Sequence, residues 1–251
     1  MMTDMESMES PNGKPPVSER RPGLLKRLYR EERAAWRKHY RKYFKYAART
    51  LGAGFVIGFI YFLARPDQEK KALEFVIRSF KDISLQGSPL VLALTLFYHN
   101  ARASVIAVTA GWIPFLFLPI LDPLLNGAVL GLLVSITKHQ GLDVPRLVLT
   151  KILPHGVFEL TAVLYATSLG LYLSAETGKR LTAAWRKRRA GRPAEPPATP
   201  DAAGFLETCP DRKAAEPDSL AWNVLRSFAL VVVPLLLVAA FIEGFITPLL
   251  P

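Results

Sequence analysis

Residues 90–138 read LVLALTLFYHNARASVIAVTAGWIPFLFLPILDPLLNGAVLGLLVSITK, and before Lys138 closes the run its only charged side chains are Arg102 and Asp122. A helix needs about 20 apolar residues to cross the hydrocarbon layer. This stretch is long enough for two crossings, 89–110 and 113–137. Three prolines, Pro114, Pro119 and Pro123, crowd the start of the second. Asp122-Pro123 reads as an N-cap followed by proline at the first helical position. Residues 113–121 are therefore expected to form a broken or re-entrant piece, with a fresh helix from Pro123. Irregular backbone at membrane depth is tolerated only where protein or water satisfies it.

Three more apolar stretches lie outside this one, at 46–64, 152–174 and 222–249. The last 31 positions, 221–251, carry only Arg226 and Glu243 as charges. Half of the 251 residues are hydrophobic, 21% are charged and the net charge is +11. A soluble domain interleaves the two classes along amphipathic elements. Here they form separate blocks, and mean hydropathy is positive at +0.19. That pattern excludes a soluble globular domain and a disordered chain. The fold class expected is all-α: a polytopic helical membrane protein with five transmembrane helices and one broken segment near 113–123. The lipid bilayer is then the partner of the basic segments, and nucleic acid is not.

The remaining segments follow from composition. Residues 1–23 are polar, lack a signal-peptide core and read as a disordered tail. In 24–45, Leu25, Leu28, Trp36, Tyr40, Tyr43 and Phe44 recur at helical spacing among nine lysines and arginines. This is either an amphipathic helix on an anionic membrane face or a basic flank that only sets topology. The membrane domain is expected over 46–174. Within it, segment 66–88 carries Leu73, Val76, Ile77, Phe80 and Ile83 in an i, i+3, i+4, i+7 pattern, an amphipathic helix outside the bilayer. Residues 175–221 read as a basic, Pro/Ala-rich linker, followed by the fifth span in 222–251. The single cysteine, Cys209, sits in that linker as an idle thiol and excludes a disulfide framework or a cysteine metal knuckle.

Lysines and arginines orient the chain. Residues 1–45 hold 12 and 175–221 hold 9, whereas 65–88 holds 5 against 4 acids. Five spans put the two basic segments on one side, as the positive-inside rule requires. The expectation is a plasma-membrane (inner-membrane) protein with a cytoplasmic N-terminus and an extracytoplasmic C-terminus. Trp36, Trp112, Trp185 and Trp222 then all fall at cytoplasmic span ends, an aromatic belt on one interface.

Polar residues inside spans are expensive and mark function by default. Asn100 and Asn126 form a candidate midplane pair; the alternative is interhelical hydrogen bonding across Gly127 and Gly131. Arg102 and Asp122 are secondary candidates. The sharper constellation is Leu153-Pro154-His155-Gly156-Val157-Phe158-Glu159. Pro154 at a helix start would put His155 in the first turn, and His155 and Glu159 share a face at i, i+4. Glu159 and Glu243, on oppositely running spans, both lie about 10 Å below the outer end. Two such carboxylates cannot both stay ionised cheaply, and His155 is the natural third member of the cluster. It fits a structural clamp, a proton or substrate site, or, weakly, a metal site, since the second histidine of a zinc-protease helix is missing. No phosphate loop, nucleophile elbow or dinucleotide fingerprint occurs, so no enzyme activity, cofactor or metal is expected.

At these residues the sequence resembles the stage II sporulation protein M family. The motifs are Asn100 followed by small residues, Asn126-Gly127 with Gly131, Leu153-Pro154-His155-Gly156 with Glu159-Leu160, and Glu243 with Phe245, Thr247 and Pro248. The resemblance covers roughly residues 45–250, excluding the linker. It implies a multi-span bacterial membrane protein. In spore formers it implies one that anchors the stage II sporulation proteins D and P, which degrade peptidoglycan during engulfment. The leading expectation is thus a membrane scaffold for cell-envelope or peptidoglycan remodelling machinery. The alternatives are a transporter of a lipid or small solute, which needs a cavity reaching the His/Glu cluster, and an intramembrane hydrolase.

Overall fold

Five helices long and apolar enough to cross a bilayer make up the computed structural model, which describes residues 23–79, 88–189 and 217–249. They are α1 (Leu24–Leu63), α3 (Pro89–Ala110), α4 (Leu118–His139), α5 (Val144–Arg189) and α6 (Leu220–Leu249). A shorter helix, α2 (Pro66–Ser79), follows α1. Among the described residues there is no strand. The tail, Phe80, Ile83, Cys209 and residues 190–216 of the linker lie outside the described residues.

Helix ends follow local chemistry. The Ser88 hydroxyl accepts the Val91 N–H at the start of α3, with Pro89 next in the chain, and Asp143 accepts the Arg146 N–H at the start of α5, with Pro145 two positions on. Three bounds differ from the sequence expectation. α5 begins at Val144 and runs on to Arg189, so Pro154 lies inside the helix and His155 is not in its first turn. Residues 175–189 are the continuation of α5, whose apolar and basic parts form one rod of 46 residues. Asp122 is not an N-cap. α4 opens as a 3-10 turn over Leu118–Ile120 and becomes α-helical at Leu121, one residue before it. The break expected ahead of Pro123 falls at 111–117, an irregular turn in which Phe115 and Phe117 have φ of 71° and 48°.

Proline shapes these rods without ending them. The π-turns Val148–Ile152, Phe228–Val232 and Ile242–Ile246 each close two residues before a proline: Pro154, Pro234 and Pro248. Proline has no N–H and its ring crowds the carbonyl four residues back. The turn widens, and the N–H just before the proline reaches five residues back instead: Leu153 to Val148, Val233 to Phe228, Thr247 to Ile242. A fourth π-turn, Trp36–Tyr40, precedes no proline.

α5 is the central helix. Residues 162–171 are all buried, so this stretch has no solvent- or lipid-facing side. Its composition, with Ala162, Ala166, Thr167, Ser168 and Gly170, lets neighbours approach closely. α1 and α4 run parallel along two Gly-x-x-x-Gly pairs. A Cβ added at Gly54 or Gly58 would lie 2.2 or 2.7 Å from the Leu124 or Ala128 carbonyl oxygen; at Gly127 it would lie 2.1 Å from that of Leu51. Backbone therefore meets backbone along this seam, and dispersion rather than the hydrophobic effect holds it in lipid.

The inward face of α2 is Glu69, Ala72, Leu73 and Val76, the expected period with a carboxylate at its head. Glu69 Oε2 accepts from Ser135 Oγ at 2.6 Å and faces His139 Nδ1 at 2.9 Å, tying α2 to the last turns of α4.

Candidate functional site

The His155-bearing motif sits just past the π-turn made by Pro154, and Glu243 sits within the one made by Pro248. One side chain follows a widened turn and the other lies within one, and they meet. His155 Nδ1 and Glu243 Oε2 are 2.5 Å apart, with side chains 18% and 31% exposed. Neither atom has another hydrogen-bond partner. One turn along α5, the Glu159 carboxyl lies within electrostatic reach of the Asn100 amide of α3, of His155 and of Glu243. Three helices thus deliver one imidazole, one amide and two carboxyls to one place.

The Asn100–Asn126 pairing does not form. Asn126 turns back on its own helix, donating from Nδ2 to the Asp122 carbonyl at 2.9 Å and to Asp122 Oδ1 at 3.0 Å. Side-chain to backbone bonding one turn back is the cheapest way to satisfy an amide near a helix start, so Asn100 is left to Glu159. Asp122 still belongs to the neighbourhood: it lies within electrostatic reach of Glu159, and its second oxygen is buried without a partner. Arg102 is exposed on α3 and stands apart from the cluster.

With His155 protonated and Glu159 and Glu243 ionised, these three groups carry one net negative charge. The arrangement can join helices, and it can hold and exchange a proton. Four cavities of about 230–370 Å³ among the described residues are lined by side chains other than His155, Glu159 and Glu243.

A second polar centre was not foreseen. The inward stripe of α1 includes Trp36, Tyr40, Tyr43 and Phe44, as the spacing predicts, but it packs on protein. Trp36 stacks on Tyr165 with centroids 5.2 Å apart, and Tyr40 is 1% exposed against Tyr165 and Tyr172. Leu25, by contrast, is 67% exposed. At the head of the stripe is Glu32, 4% exposed. Its carboxylate accepts from Tyr165 Oη at 2.5 Å and from Ser227 Oγ at 2.8 Å; Ser227 Oγ also lies 3.2 Å from Tyr40 Oη. Next to it, Arg226 donates to Glu31 Oε2 at 2.7 Å. Two signals could have located this centre. Glu31 and Glu32 are the only acids among the nine basic residues of 24–45, and Glu32, Trp36 and Tyr40 repeat every four residues.

The family model for stage II sporulation protein M matches residues 47–248. The match spans most of the chain, from the middle of α1 to the end of α6, and includes the His155/Glu159/Glu243 cluster; the chain belongs to this family. No curated protein and no solved structure matches it.

Proposed function

We propose that this member of the stage II sporulation protein M family is a membrane scaffold for cell-envelope or peptidoglycan remodelling machinery. In this reading it lies in the plasma membrane with its N-terminus in the cytoplasm and its C-terminus outside. The observation that carries the reading is the central helix, buried on every side over residues 162–171. A helix enclosed by its neighbours favours a fixed platform over a route for solute. The His155–Glu243 contact and the Glu32 network then act as clamps, joining α6 to α5 and α1 to both.

The transporter reading keeps one observation in its favour, the buried Asp122 oxygen that has no hydrogen-bond partner beside the cluster. Depletion in the native host distinguishes the two. A scaffold predicts misplaced incorporation of a fluorescent D-amino acid into the wall, restored by wild type and by Glu159→Gln. An unchanged incorporation pattern after depletion would defeat the scaffold. Loss of rescue by a folded Glu159→Gln protein would move the function to the cluster itself.

A further inference from the structure

The turn between α3 and α4 presents five bulky apolar residues outward: Trp112, Ile113, Phe115, Leu116 and Phe117. Two of them, Phe115 and Phe117, hold left-handed backbone that bulky residues rarely adopt. The turn is laid against the C-terminal part of α5. A Cβ placed on Gly178 would come 3.3 Å from the Phe115 ring, so the missing side chain is what admits the ring. Between turn and helix lies a groove of about 340 Å³ lined by Phe115, Leu181, Thr182, Trp185, Arg186 and Arg189.

The lining is ordered along the helix axis. Leu181, Trp185 and Arg189 are spaced at i, i+4, i+8 and share a face, spanning about 12 Å. Phe115 lies beside Gly178 at one end and the arginines lie at the other. The polarity therefore runs apolar, aromatic, cationic. The charge on this stretch is of one sign: residues 177–189 contain six lysines and arginines and no acid. The Thr182 hydroxyl is already committed to the Gly178 and Lys179 carbonyls at 3.0 and 2.9 Å. Binding polarity in the groove therefore comes from the arginines, whose forked donors suit a phosphate.

We propose that this groove binds one anionic phospholipid. Its phosphate sits between Arg186 and Arg189, its glycerol region lies along Trp185, and its chains lie over Leu181, Phe115 and the exposed turn. The gradient of the groove is the gradient of such a lipid, from acyl chain through interface to headgroup. The net positive charge selects an anionic headgroup over a zwitterionic one.

The test is native mass spectrometry of the full chain, released from detergent with phosphatidylglycerol or phosphatidylcholine added. Two variants remove equal charge: Arg186→Gln/Arg189→Gln within the groove, and Lys187→Gln/Arg188→Gln beside it. Each basic residue near the surface contributes roughly a factor of five, so the groove pair should weaken phosphatidylglycerol binding about 30-fold. The neighbouring pair should weaken it at most about threefold, and phosphatidylcholine should bind weakly to all. Thermal unfolding checks that both variants are folded. Equal effects of the two pairs would mean diffuse attraction and overturn the site, as would an unchanged affinity in the groove pair. Displacement of the lipid by millimolar inorganic phosphate would overturn the lipid as occupant.

Discussion

Glu32 and Ser227 stand 195 positions apart in the chain and 2.8 Å apart in space. Their hydrogen bond fastens the basic N-terminal half of α1 onto α6, and the same carboxylate takes the Tyr165 hydroxyl of α5. A segment whose composition suits a bilayer surface is thereby anchored in the protein by its one fully buried acid.

Replacing that acid should release the segment. Glu32→Ala leaves the Tyr165 and Ser227 hydroxyls buried without their acceptor, a loss of about 1–3 kcal/mol. Trypsin should cut after Arg33 and Arg37 faster than in wild type, while cleavage elsewhere is unchanged. Equal cleavage rates would show that the carboxylate does not hold the helix.

The glycine seam predicts a sharp positional contrast. Gly127→Ala drives a methyl group into the Leu51 carbonyl and should cost about 1–3 kcal/mol. Gly52→Ala meets nothing within 4 Å and should leave the melting temperature in detergent within error of wild type or slightly higher. Similar melting temperatures for the two variants would contradict the close approach of α1 and α4.

His155→Ala strips Glu243 of its partner. Breaking a fully buried pair costs about 3–5 kcal/mol. Because the Glu243 side chain is 31% exposed, the expected loss is smaller, about 1–3 kcal/mol. The double variant His155→Leu/Glu243→Leu should be more stable than the sum of the single losses predicts. A double-mutant cycle with zero coupling would remove the clamp.

Topology is checked by reporter fusions. An alkaline phosphatase fusion after Pro251 should be active and a fluorescent protein placed within 190–216 should fluoresce. Inactivity of both would reverse the orientation inferred from the lysine and arginine count.

Much of the site could be read in the sequence because depth in a helix is arithmetic. Counting 1.5 Å per residue from span ends puts Glu159 and Glu243 at one level, and the structure brings His155, Glu159 and Glu243 into one neighbourhood. What counting could not supply was the azimuth of each helix. Asn100 and Asn126 are matched in depth by the same rule. Yet Asn126 points back at Asp122, and Asn100 lies within reach of Glu159. Proline misled for a related reason. At Pro154 the break signal is real, but a π-turn absorbs it inside a continuous helix, because five-back hydrogen bonds satisfy the backbone without ending the rod.

By itself the sequence determined that this is a five-helix membrane protein: blocks of apolar residues too long for anything else, punctuated by charge, admit only spanning helices, since lipid offers backbone groups no partner. It also determined the family, through residues spaced along those helices. Tertiary structure alone decided which faces meet. α5 became the centre because its small residues let helices close in on every side. Glu32 became a core residue because Tyr165 and Ser227, distant in the chain, supply its hydrogen bonds. Local sequence encodes how long a helix is and how polar it is. A buried carboxylate is tolerated only where partners from other helices converge, and that convergence exists only once the bundle is packed.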